Sequence, residues 1–100
     1  MFVKLCEENL LISGELRSFK IKGNELLAVY IDGEIFCLDG RCSHAGAPLA
    51  EGTVESGILT CPWHYSQFDL ASGVVLRGPA AKPLKRYAVE KRDKMIFVDL

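Results

Sequence analysis

The sequence predicts an all-β fold built from antiparallel sheets, and two observations support this prediction. Short apolar runs alternate with turn residues about every 8–12 residues along the chain, which is the spacing of strands in sandwiches and barrels. No stretch shows the apolar period of a long amphipathic helix. The chain has 100 residues, of which 49% are hydrophobic, so we expect a single domain, residues 1–100, with a modest core.

Four strands are expected in the first forty residues. The run at 26–31 is continuously apolar, and its second half is β-branched or aromatic, so it predicts a buried strand. Asp32 and Gly33 follow this run and form the strongest short hairpin signal in the chain. The expected strands lie at 2–6, 15–21, 26–31 and 34–38, with a turn at 22–25 and room for a short helical turn near 8–11 or 47–51.

The second half of the chain predicts a loop followed by shorter strands. Gly, Ala and Pro are frequent at 41–50, which is typical of a loop. Pro79 and Pro83 make a regular strand unfavourable across 77–83. The strands expected here lie at 53–54, 58–60, 67–70 and 74–76, followed by a hairpin of 85–90 with 95–100 around a turn at 91–94.

Charge and hydropathy exclude two classes of partner. The formal net charge is −1, whereas nucleic-acid binding needs a clear excess of Lys and Arg on one face. No run approaches the roughly 18 apolar residues of a membrane span, and the first eight residues contain Glu7 and Glu8 instead of a secretory apolar region. We therefore expect no nucleic acid, no membrane and a cytoplasmic location, where thiols stay reduced. The four cysteines are accordingly expected to be metal ligands or buried thiols.

Each of the two histidines lies close to a cysteine. His44 follows Cys42 by two positions, His64 follows Cys61 by three, and sixteen residues separate His44 from Cys61. Randomly placed cysteines would meet both offsets about once in several hundred sequences. These four side chains therefore predict a metal site on two loops. Two metals remain open at this point: a structural Zn²⁺ held tetrahedrally, or a two-iron cluster with the cysteines on one iron and the histidines on the other.

The pattern Cys42-x-His44, sixteen residues, then Cys61-x-x-His64 resembles the motif of Rieske 2Fe–2S proteins. The resemblance covers nearly the whole chain, because further short motifs also look like those of Rieske ferredoxins. These motifs are Asp39-Gly40, Ala47-Pro48-Leu49, Phe68-Asp69, Ser72-Gly73, Gly78-Pro79-Ala80 and Phe97-Val98. The family implies a small cluster-binding lobe at about 40–68 inserted between strands of a β base, with 78–80 as a proline loop over the cluster.

The resemblance also implies a function. One 2Fe–2S cluster would be held by Cys42 and Cys61 on the inner iron and by His44 and His64 on the outer, solvent-facing iron. The chain would then be a one-electron carrier, not an enzyme, delivering electrons from a reductase to a terminal oxygenase or related enzyme. The alternatives are the small Rieske subunit of a nitrite-reductase-like complex and, from another class, a structural zinc module. We predict no catalytic residue, since a Ser-His-Asp set would need a free histidine.

Three positions separate the chain from one branch of this family and favour its soluble ferredoxins, whereas a fourth, Ser66, is shared with that branch. Rieske proteins of quinol-oxidising cytochrome complexes have a disulfide beside the cluster, but Ala47 and Trp63 stand at those cysteine positions. The same proteins use a serine and a tyrosine as hydrogen-bond donors at the cluster. Ser66 matches the serine, whereas Phe68 has no hydroxyl. The competing interpretation of Ser66 is a turn serine that bonds its own backbone.

For the remaining residues, a structural interpretation competes with a functional one. Cys6 and Cys37 lie in apolar strands and are expected to be core thiols. Trp63 and Tyr65 are candidates for shielding the cluster or for docking, against simple loop packing. An apolar rim around the histidine-bound iron is expected from Ala45, Gly46, Pro48 and Leu49. A basic group is expected to be the solvated face of an edge hairpin, with steering of an acidic partner as the alternative; it comprises Lys82, Lys85, Arg86, Lys91, Arg92 and Lys94.

Overall fold

Eleven strands form three antiparallel sheets in the computed structural model, which describes residues 1–100. The all-β prediction is confirmed, and the only helical segments are two 3₁₀ turns at Glu8–Leu10 and Leu49–Glu51. The strands are β1 (Phe2–Glu7), β2 (Leu16–Ile21), β3 (Asn24–Ile31), β4 (Glu34–Asp39), β5 (Thr53–Glu55), β6 (Ile58–Thr60), β7 (Gln67–Asp69), β8 (Val75–Arg77), β9 (Arg86–Tyr87), β10 (Val89–Arg92) and β11 (Met95–Asp99). None of the helical segments is long and apolar enough to cross a membrane.

The three sheets are stacked as layers around two cores. The first sheet has the strand order β1-β11-β10, the second β2-β3-β4-β9 and the third β5-β6-β7-β8. One core of twelve buried residues lies between the second and third sheets and includes Cys42 and Cys61. The other core of eight buried residues lies between the first and second sheets and includes Cys6 and Cys37. The second sheet is therefore the middle layer.

Strand β3 explains why the central run is apolar without interruption. Leu27 and Val29 belong to the core shared with the third sheet, whereas Leu26 and Ala28 belong to the core shared with the first sheet. All four side chains are 0% exposed. Because successive strand residues point to opposite faces, a strand covered on both sides needs apolar residues at every position.

The hairpin turns are tighter than the sequence suggested. Lys22 and Gly23 have φ values of 51° and 81° and alone connect β2 to β3, and Asp93 and Lys94, at 47° and 66°, alone connect β10 to β11. Two positive φ values are typical of the two-residue turn whose twist matches that of the flanking strands. The predicted four-residue turns are thus wrong at 24–25 and at 91–92, because these residues pair in β3 and β10.

The predicted strand at 85–90 is divided between two sheets. β9 pairs with β4, with Tyr87 opposite Cys37 and Arg86 opposite Leu38. After Ala88, β10 pairs with β11 in the first sheet. A single continuous strand here is therefore wrong, because the segment crosses from the middle layer to the outer one. Arg77, expected in the irregular segment, instead ends β8 opposite Gln67.

Candidate metal centre

Two loops of the same construction carry the predicted ligands. In the first clip, residues 42–47, the Cys42 N–H donates to the Ala47 carbonyl at 2.9 Å. In the second clip, residues 61–66, the Cys61 N–H donates to the Ser66 carbonyl at 2.8 Å. Each bond links a cysteine to the residue five positions later, so both loops begin at a cysteine and turn the following histidine toward the same end of the molecule.

The thiols and the imidazoles occupy different environments. Cys42 and Cys61 are 4% and 2% exposed and belong to the core between the second and third sheets. His44 and His64 are exposed, and their ring centroids lie 5.1 Å apart with the planes at 82°. The structure therefore places the two clip thiols in the interior and brings the two imidazoles together at the surface.

The two thiols lie close enough to interact. The Cys61 thiol is within hydrogen-bonding reach of the Cys42 thiol and of the Trp63 backbone N–H, and all four cysteines are free. Burial raises the pKa of the Cys61 thiol, the Trp63 N–H opposes this increase, and Cys42 adds to it. A metal bound here must displace the thiol proton, so its apparent affinity should increase with pH.

The donor arrangement suits a two-iron cluster. A 2Fe–2S cluster asks for two protein ligands on each iron, and the Rieske type takes two cysteines on one iron and two histidines on the other. The buried Cys42 and Cys61 and the exposed His44 and His64 match that division.

A third segment, the proline loop at 78–83, is attached to both clips. The Ser43 hydroxyl donates to the Lys82 carbonyl at 2.6 Å. The Ala80 N–H donates to the Ser66 Oγ at 2.9 Å, and Ser66 is 0% exposed. The interpretation of Ser66 as a turn serine that bonds its own backbone is therefore wrong. Ser43 was not singled out from the sequence, since no local pattern signals a partner 39 residues away.

The apolar rim differs from the expected one. Leu49 is 0% exposed and belongs to the core between the second and third sheets, where it begins the 3₁₀ turn that follows the first clip. Ala45 is exposed, whereas Gly46 and Pro48 are half-buried. Trp63 and Tyr65, which flank His64, are 49% and 72% exposed and offer more apolar surface than the first clip does. Simple loop packing therefore does not describe them.

The two cysteines outside the clips are core residues, as predicted. Cys6 is 5% exposed and Cys37 is 1% exposed, both in the core between the first and second sheets. Burial raises the pKa of Cys6 and raises that of Cys37 to about 12. These thiols stay protonated at neutral pH and lie in a different core from the clips.

Comparison with known proteins identifies similar sequences and folds. The family model of the Rieske 2Fe–2S domain matches residues 1–88. The ferredoxin component of the p-cumate 2,3-dioxygenase system of Pseudomonas putida is 34% identical, over 98% of this chain and 85% of that protein. A Sphingomonas yanoikuyae B1 ferredoxin has a TM-score of 0.93 and 30% identity, over 100% of this chain and 99% of that one. The ferredoxin of carbazole 1,9a-dioxygenase from Nocardioides aromaticivorans IC177 has a TM-score of 0.92 and 27% identity, over 98% and 96% of the two chains.

Proposed function

Because the chain belongs to the Rieske 2Fe–2S domain family, we propose that it is a one-electron carrier that passes electrons from a reductase to a terminal oxygenase. The observation that carries this proposal is the pairing of two buried thiols with two exposed imidazoles on matched clips. Its relatives are named as ferredoxin components of dioxygenase systems, which favours this role over a nitrite-reductase subunit. The protein is an electron-transfer component and not itself the catalyst.

The proposed ligands are Cys42 and Cys61 for the inner iron and His44 and His64 for the outer iron of one 2Fe–2S cluster. The cluster supplies reversible one-electron chemistry, and neutral imidazole ligands raise its potential above that of four-thiolate clusters. The protein contributes a water-poor environment around the cysteines through the surrounding apolar core. The two exposed imidazoles give the electron a short path between the interior and the surface.

Spectroscopy and metal analysis test this proposal directly. The purified protein should contain about two irons and two acid-labile sulfides per chain and should accept one electron per chain. Cys42→Ala and Cys61→Ala should each abolish the visible absorption and the EPR signal of the reduced protein. Cys6→Ala and Cys37→Ala are matched controls, since these cysteines are equally buried but lie in the other core. Both controls should keep the full iron content.

Two results would contradict the assignment. Stoichiometric zinc without acid-labile sulfide would establish the structural zinc module instead. Equal loss of iron from the Cys37→Ala and Cys42→Ala proteins would show that the iron depends on general packing and not on the clips.

A cytoplasmic location is part of the proposal and is supported by the four free thiols, which suit a reducing compartment. Cell fractionation of the untagged protein checks it, and recovery from an oxidising compartment would contradict it.

A further inference from the structure

The basic group expected on an edge hairpin is divided by the fold into two parts. Lys91 and Arg92 lie on β10 and form ion pairs with Glu8 and Glu90. Lys94 lies in the adjoining turn. This part belongs to the first sheet, on the far side of the middle layer from the clips, and it fits the predicted solvated hairpin. The other part lies beside the clips.

Three exposed cations, Arg77, Lys82 and Arg86, form what we call the cationic rim. Lys82 is next to the first clip, because its carbonyl accepts the hydrogen bond from Ser43, the neighbour of His44. Arg77 lies opposite Gln67, the residue that directly follows the second clip.

Arg86 completes the rim from the middle layer. It pairs with Leu38, whose side chain lies in the core between the second and third sheets. Since residues directly opposite each other share a face of the sheet, Arg86 projects on the side of the clips.

The three positive charges of the cationic rim are not neutralised by ion pairs within the protein. None of its three residues takes part in the four ion pairs of the protein. Lys85 does not join the rim, because its ammonium lies over the Tyr87 ring, 5.0 Å from the centroid. Asp39 follows Leu38, the partner of Arg86 in the sheet, and it accepts hydrogen bonds from the Lys85 N–H and the Tyr87 hydroxyl, both at 2.8 Å. Its charge is thus largely committed to other donors.

We propose that the cationic rim, together with the exposed Trp63 and Tyr65 around His64, is a docking surface for an acidic protein partner. This inference rests on the proposed function, because docking there matters if electrons leave through the histidines. A local positive field orients an acidic surface toward the site although the whole chain carries a net charge of −1. The aromatic side chains then supply contact area that charge alone does not.

A nucleic acid or an anionic membrane fits these residues less well. Specific binding to either usually engages many more cations, with about 6–10 phosphate contacts in a typical DNA complex. Three cations beside exposed aromatic residues fit a small, transient protein interface better.

The salt dependence of electron transfer to small oxidants tests the local charge. The reduced protein gives one electron to ferricyanide, an anion, or to hexaammineruthenium(III), a cation. A positive rim predicts that added salt slows the first reaction several-fold and accelerates the second, because salt screens attraction and repulsion alike. The net charge of −1 alone predicts the opposite signs.

Two variants with the same change in net charge locate the effect. Lys82→Glu should weaken or reverse the salt dependence, whereas Lys4→Glu should leave it unchanged, because Lys4 lies on β1 of the first sheet. The inference is overturned if ferricyanide reduction does not slow with salt, or if both variants behave alike.

Binding of the full chain to poly-L-glutamate supplies a readout that needs no electron transfer. The wild-type protein and Lys4→Glu should bind at low ionic strength, and Lys82→Glu should lose most of this binding. Binding to duplex DNA or to phosphatidylserine vesicles, without binding to poly-L-glutamate, would overturn the assignment to a protein partner. A protein that lacks a 2Fe–2S spectrum but binds poly-L-glutamate through Lys82 would refute the proposed function while leaving the cationic docking surface in place.

Discussion

Tyr65 has a left-handed backbone conformation, with φ at +59°, although it carries a large side chain. Residues other than glycine pay about 1–2 kcal/mol for this conformation. The side chain is 72% exposed, so packing does not recover much of that cost. The second clip holds the backbone in this conformation, because the residue after Tyr65, Ser66, accepts the hydrogen bond from the Cys61 N–H that closes the clip. Strain beside a functional site is consistent with a constraint imposed by the site.

Replacing Tyr65 by glycine should relieve this strain. We expect Tyr65→Gly to be more stable to urea than Tyr65→Ala by about 1 kcal/mol, because alanine keeps the steric cost and glycine does not. The comparison between the two variants cancels the loss of the ring. A Tyr65→Gly protein that is less stable than Tyr65→Ala would show that the conformation carries no cost here.

The buried Cys37 thiol makes the free energy of unfolding depend on pH in the alkaline range. Burial, reinforced by Asp39, raises the pKa of its thiol from 9.0 to about 12. The folded protein therefore holds the proton more tightly than the unfolded chain, and the contribution of the neutral thiol to stability is complete below pH 9 and is lost as pH rises toward 12.

Between about pH 8 and pH 10.5, the wild-type protein should therefore lose about 2 kcal/mol more unfolding free energy than Cys37→Ala. Urea unfolding at the two pH values measures this difference. Parallel losses in both proteins would assign the alkaline sensitivity to other groups, of which Tyr87 is one, since burial and Asp39 raise its pKa to about 12.

At the scale of elements, the proline loop lies between β8 and β9 and is hydrogen-bonded to both clips. Its two hydrogen bonds differ in environment: Ser66 and Ala80 are buried, whereas Ser43 and Lys82 are exposed. Removing an acceptor from a buried N–H leaves that donor unsatisfied, while an exposed donor or acceptor finds water instead.

Ser66→Ala should consequently destabilise the protein by about 1–3 kcal/mol, and Ser43→Ala by less than about 1 kcal/mol. Hydrogen exchange at the Ala80 amide should accelerate strongly in the first variant and little in the second. Equal exchange rates in the two variants would mean that the loop is held by its other contacts.

At the scale of the whole molecule, the two cores differ in which part of the protein they support. The core between the second and third sheets surrounds the clip cysteines, and the core between the first and second sheets supports the base. Both contribute burial of apolar area to the folded chain. The middle sheet is common to both cores, because β3 contributes side chains to each.

Leu49 and Leu26 provide a matched test, since both are leucines that are 0% exposed and each lies in a different core. Leu49→Ala and Leu26→Ala should each cost about 2–5 kcal/mol of unfolding free energy. Only Leu49→Ala should also lower the iron content, because Leu49 packs next to the first clip. Equal iron loss in both folded variants would show that the cores act as one unit.

Much of this architecture is local in origin and could be predicted. The positions of β1 to β7 follow from apolar runs and turn residues, and the spacing of Cys42, His44, Cys61 and His64 marks the site before any fold is known. These patterns act over a few residues, where backbone preference and side-chain alternation dominate. The burial of 26–29 was predictable for the same reason, whereas Tyr30 and Ile31 are only half-buried.

Only the tertiary structure decided how distant segments meet. The bonds from Ser43 to Lys82 and from Ala80 to Ser66 span 39 and 14 residues, and the segment after Tyr87 leaves the middle sheet for the first one. The same crossing separates the paired cations of β10 from the rim at Arg77, Lys82 and Arg86. Such contacts depend on how sheets stack, and stacking is set by the summed burial of side chains far apart in the chain and not by any local preference.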